Sequence, residues 1–142
     1  MGVVVMTGWG VRIGLDLSVD VEKISGDLLD WLYNKTIGCR VVQMVSIPAD
    51  RFGRDDVIMM VDEEGMLRED PQTNLIASIL YGYRIVGNAV LMRIGTTEDG
   101  DMDWMGFKDW SEAVEICMHT YYAAIAAITN MEGDDGHEEG EE

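Results

Sequence analysis

The sequence predicts an α+β domain over residues 1–130: an N-terminal β-hairpin and a mixed or antiparallel sheet of about five strands, packed by two longer helices and one short helix. An acidic, disordered tail over residues 131–142 follows. Three observations predict this. Val57-Ile58-Met59-Met60-Val61 is an apolar run without alternation, as in a strand covered on both faces and therefore central. Two further strand-like runs, Cys39 to Ile47 and Arg84 to Ile94, bracket it. Between and beyond them lie segments whose apolar residues recur at helical spacing.

Taken in order, Val3-Val4-Val5-Met6 predicts a short strand, Thr7-Gly8-Trp9-Gly10 a turn, and the alternating Val11 to Leu17 the second arm of a hairpin. Gly8-x-Gly10 leads into a strand rather than a helix, so it is no dinucleotide fingerprint. Ser25 suits an N-cap, with Asp27 in the first turn and Leu28, Leu29, Trp31 and Leu32 forming the apolar face. Gly38 closes that helix in a left-handed cap. After the central strand, Asp62-Glu63-Glu64-Gly65 turns the chain, with Gly65 expected at positive φ. Thr73 or Asn74 caps the short helix, which carries Leu75, Ile76, Ile79 and Leu80. Residues 95–108 read as an acidic loop. Asp109 and Glu112 then form a capping box opening the last helix, whose stripe includes Trp110, Ala113, Val114, Cys117 and Tyr121.

Ile37-Gly38-Cys39-Arg40-Val41-Val42-Gln43, Val61 to Leu67, Pro71-x-x-Asn74 and Arg84 to Val90 together resemble the family called domain of unknown function 3846, found in phages, plasmids and other mobile elements. The resemblance covers residues 11 to 95. It implies an α+β domain with an accessory role in a mobile element, and it brings no established catalytic residue.

Net charge is −17, from 27 acids against 10 bases. Seven of the acids, and no Lys or Arg, fall in the tail, which leaves about −10 on the rest. Such a field repels phosphates, which speaks against direct nucleic-acid binding and suits a host protein with a basic surface. No apolar run approaches the roughly 20 residues of a membrane span. The N-terminus lacks the basic region and cleavage site of a signal peptide, so the expected location is the cytoplasm of the infected host cell. Cys39 and Cys117 have no CxxC partner and read as small buried hydrophobes. Of eleven methionines, Met59, Met60, Met92 and Met118 are expected in the core. Met66, Met102 and Met105, with Trp104, suit an adaptable binding surface.

No constellation spells out a reaction. His119 and His137 are the only histidines, and neither a Gly-x-Ser-x-Gly turn, a P-loop nor zinc spacing is present. These absences point to a non-enzymatic protein with no cofactor, a purely structural interaction module among the alternatives; the resemblance implies a phage or mobile-element accessory protein that binds and inhibits a host protein, in counter-defence or host takeover. Its acidic surface would comprise Asp62, Glu63, Glu64, Glu98, Asp99, Asp101 and Asp103. An alternative is a sponge for a signalling nucleotide, for which Arg40, Tyr83, Arg84 and Arg93 are available. A third is calcium binding: Asp101, Asp103, Asp109 and Glu112 fall at EF-hand spacing, although Met105 stands where a ligand is wanted. Finally, Tyr122, Ala123, Ala126 and Ala127 on the last helix have no evident intrachain partner and suggest a homodimer interface.

Overall fold

The computed structural model describes residues 8–140, with side chains for residues 8–130. Six strands form one antiparallel sheet: β1 (Trp9–Ile13), β2 (Val19–Lys23), β3 (Val42–Ser46), β4 (Val57–Asp62), β5 (Ala89–Thr96) and β6 (Met102–Met105). The order is β2-β1-β5-β4-β3, and β6 pairs with the second half of β5 on the side where β1 pairs with its first half. The first helix, α1, is one α-turn (Leu28–Asp30) continued as a π-helix (Trp31–Thr36). The others are α2 (Leu75–Tyr81) and α3 (Trp110–Gly140). The backbone of α3 runs on over residues that the sequence reading assigns to a disordered tail. The strand expected over residues 3–6 lies outside the described residues.

Helices cover both faces of the sheet. On one, Trp31, Leu32 and Ile37 of the α1 region pack on Val42, Ile58, Met60, Val90 and Met92. On the other, Ile76, Ala77 and Leu80 of α2 and Ala113, Ile116 and Ala124 of α3 pack on Val11, Val45, Met59 and Leu91. All six residues of β4 are buried, because alternate side chains enter different cores. That two-sided burial is why its sequence shows no alternation.

The hairpin differs from the expectation. It is formed by β1 and β2 around a turn at residues 14–18, with Gly14 N donating to Ser18 O at 2.9 Å. Trp9 and Gly10, expected in a turn, begin β1 instead. Gly10 is needed there because a Cβ would stand 2.8 Å from Trp31 Cη2, so the indole lies directly on the backbone. Asp27, not Ser25, caps α1 through Asp30 N at 3.0 Å. Gly65 is not at positive φ; its missing Cβ leaves room for Val86 O, which would lie 3.2 Å away. Gly87, at φ 86, delays β5 until Ala89, later than the predicted start at Arg84.

Leu17 is the only described non-glycine residue at positive φ (70°), and it is 49% exposed at the hairpin tip. A left-handed leucine costs about 1–2 kcal/mol, of which glycine returns part as extra unfolded-state freedom. Leu17→Gly should therefore raise stability by about 0.5–1 kcal/mol, read as a higher thermal midpoint.

Candidate functional site

The acidic residues proposed as one surface fall into two places. Asp62 ends β4 two residues past Met60, which pairs with Val90 near the start of β5, whereas the β5–β6 hairpin leaves the other end of β5 at Thr96. Six residues of strand lead from Val90 to Thr96, about 20 Å at 3.3 Å per residue. Asp62 is not surface at all: it is 8% exposed, and its carboxylate accepts from Arg68 Nη2 at 2.6 Å and Glu64 N at 2.9 Å. Glu64 accepts a forked pair of bonds from Arg40 Nη2, both at 3.0 Å. Of the three acids at this end, Glu63 alone is exposed and has no ion pair among the described residues.

The hairpin end is different. β6 stands where an acidic loop is expected, and it pairs Arg93 with Met105, Ile94 with Trp104, Gly95 with Asp103 and Thr96 with Met102. The connecting turn is tied by Thr97 N donating to Asp101 O at 2.7 Å and Asp101 N donating to Thr97 Oγ1 at 3.2 Å. Glu98, Asp99, Asp101 and Asp103 are all exposed, and none takes part in an ion pair among the described residues. Beside them Met102 is 67% exposed, while Trp104 and Met105 are half-buried. These side chains line a broad, open concavity of about 1010 Å³. The hairpin therefore joins unneutralised charge to flexible apolar contact groups.

Its base is firmly held. Arg93 Nε donates to Gly106 O at 3.0 Å, and Trp9 and Phe107 exchange backbone hydrogen bonds of 3.0 and 2.7 Å. Arg54 donates to both Asp56 and Glu112 while its guanidinium stands 5.8 Å above the Phe107 ring. The hydrogen bonds from Arg54 hold the Asp56 carboxyl below the usual carboxylate range. The cap stands as read, with Asp109 Oδ1 accepting from Glu112 N at 2.9 Å, while the return bond reaches one residue earlier than in a capping box: Glu112 Oε1 accepts from Lys108 N at 2.6 Å. With Glu112 thus engaged and Asp103 placed in a strand, Asp101, Asp103, Asp109 and Glu112 are not arranged as an EF-hand loop. Among the described residues no three His, Cys, Asp or Glu side chains converge as a metal site.

The residues available for a nucleotide do not meet. Arg93 is held at the hairpin base, and Arg40 is engaged by Glu64. Arg84 donates to Thr73 Oγ1 at 2.7 Å, and Tyr83 is 76% exposed with its ring edge-on to Tyr81. On α3, Ala123, Ala126 and Ala127 line a groove of about 540 Å³ against Ile79 and Gly82 of the α2 region, so these alanines do have an intrachain neighbour. Tyr122, Ile125 and Met118 are 63%, 56% and 48% exposed. Met118 is thus a surface residue and not the core residue expected. Cys39 and Cys117 are half-buried free thiols, each pushed up in pKa by burial.

No helix among the described residues is long and apolar enough to cross a membrane. No family model matches the chain, and no curated protein matches it. Among solved structures, the chain is similar in fold to part of the small RNA methyltransferase HEN1. The TM-score is 0.57 at 16% identity, covering 81% of this chain and 16% of the methyltransferase chain.

Proposed function

We propose that the protein acts by binding rather than by catalysis, as an accessory protein of a phage or other mobile element that occupies a basic surface of a host protein and inhibits it. It would do so in the cytoplasm of the infected cell, without contacting nucleic acid or membrane. The observation that carries this reading is the β5–β6 hairpin, where four exposed carboxylates, without an ion pair among the described residues, stand beside Met102, Trp104 and Met105. Charge of this kind steers a basic partner and gives specificity, while the apolar groups give contact area. Glu63, at the far end of the sheet, lies outside this contact. Pairing of two copies along α3 is a second reading, favoured by the exposed stripe Met118, Tyr122 and Ile125.

Retention of partners from host lysate tests the first reading. Wild-type protein should hold a basic partner at about 0.05 M salt and release it near 0.5 M, where the screening length falls to a few Å. The variant Glu98→Gln, Asp99→Asn, Asp101→Asn, Asp103→Asn should hold it at least about tenfold less tightly at low salt. Equal retention by both proteins would remove the hairpin from the interface.

A further inference from the structure

The outer strands β2 and β3 differ in that, among the described residues, one outward-facing residue of β2 is covered and none of β3 is. At β2, the outward-facing groups of Val19 are taken by α3: Val19 N donates to Tyr121 Oη at 3.3 Å, and Val19 O accepts from Cys117 Sγ at 3.5 Å. At β3 nothing comparable occurs. Glu63 N donates to Val41 O at 3.0 Å, which makes 41 and 63 a hydrogen-bonded pair of the β3–β4 ladder. The pairs alternate in an antiparallel ladder, so Gln43 and Val45 face β4, while Val42, Met44 and Ser46 turn their N–H and C=O groups away from it. Among the described residues no group bonds to these outward amides and carbonyls. Their spacing is about 6.8 Å, two residues of strand. The edge also lacks the usual protections, having no lysine, no proline within the strand and no break in its register.

Beside this edge, on the α2 side, lies a cleft of about 230 Å³. Gln43 and Val45 of β3 and Val61 of β4 lie on its sheet side, and Tyr81, Arg84 and Ile85 are among the residues opposite. A strand laid along β3 would turn alternate side chains toward this cleft. The balance of charge selects the sign of such a segment. Glu63 lines the cleft, and Asp50, Glu69 and Asp70 lie in the loops that follow β3 and β4; all four are exposed and unpaired among the described residues. Arg40 and Arg68 are engaged by Glu64 and Asp62, which leaves Arg84, a cleft residue that donates to Thr73 Oγ1, as a base outnumbered by these acids.

We infer that the β3 edge is a docking site for an extended, basic segment of a partner protein, which joins the sheet as an additional strand through Val42, Met44 and Ser46 and places one side chain in the cleft. Backbone pairing supplies affinity independent of sequence, and the cleft and flanking acids supply selectivity. This inference does not rest on the hairpin reading, because β4 and β5 separate β3 from β6.

The test uses an alternating lysine–valine octapeptide as probe, with a glutamate–valine octapeptide as control, on the full chain. Amide exchange followed by NMR should slow at least tenfold at Val42, Met44 and Ser46 with the lysine peptide, and Gln43 and Val45 should already be protected without it. Ser46→Pro removes one outward N–H at an exposed position of the edge strand, so it should keep the wild-type melting point and lose at least tenfold in affinity. Should that variant not fold, exchange in the wild-type protein still decides. Unchanged exchange at the three amides at saturating probe, or equal binding of the glutamate peptide, overturns the inference. So does protection in free protein that rises with its own concentration, which would place a second copy on the edge.

Discussion

Replacing Asn74 with alanine is expected to lower the free energy of unfolding by about 3 kcal/mol, a large share of what a domain of this size possesses. Asn74 is fully buried, and its side chain ties three parts of the chain together. Its Oδ1 accepts from Ala77 N at 3.1 Å, capping α2. Its Nδ2 donates to Ile13 O at the end of β1 and to Gly87 O before β5, both at 2.9 Å. Loss of the cap alone is worth about 1 kcal/mol, and loss of the two buried Nδ2 bonds adds about 1–3 kcal/mol. Asn74→Asp separates these contributions. It keeps the cap but sets a carboxylate against both carbonyls, so it should be no better than alanine at neutral pH. Urea unfolding of the three proteins measures this, and a loss below about 1 kcal/mol for Asn74→Ala would mean that Asn74 is only a cap.

Phe107→Ala should be at least as damaging, at about 3–5 kcal/mol. The ring is fully buried in the core between the sheet, α2 and α3. Arg54 lies over it, and the Phe107 backbone pairs with Trp9 where β1 and β6 meet along β5. Truncation leaves a cavity at the point where the acidic hairpin is anchored, so partner binding should weaken along with stability. Phe107→Leu, which keeps most of the volume, should cost under about 2 kcal/mol and leave binding intact. Denaturation midpoints for the pair, set beside partner retention, check both halves.

Much of the scaffold was legible in the sequence, because its signals are local. The apolar run at Val57–Val61 announces a strand between two layers, Asn74 announces the start of α2, and Asp109 with Glu112 announces α3. The missed strands have weaker signals. Val19-Asp20-Val21-Glu22 does alternate, but it follows a run ending in two leucines that looked like the better strand. The four residues of β6 sit among acids and glycines that suggest a loop.

The candidate site was less legible, because charge at a surface depends on partners remote in sequence. Asp62-Glu63-Glu64 looks like an acidic patch until Arg68 folds back onto Asp62 and Arg40, 24 residues away, reaches Glu64. No such base approaches Glu98, Asp99, Asp101 or Asp103 among the described residues, and only the fold distinguishes the two clusters.

The central claim, that the hairpin carboxylates meet a basic protein surface, is tested most directly by zero-length carbodiimide coupling in host lysate, followed by mass spectrometry of the joined peptides. This chemistry links a carboxylate to an amine only when the two are in contact. The expected result is cross-links from Glu98, Asp99, Asp101 or Asp103 to lysines of one partner, fading as salt rises toward about 0.5 M. Cross-links to partner lysines from other carboxylates, with these four left uncoupled, would contradict it.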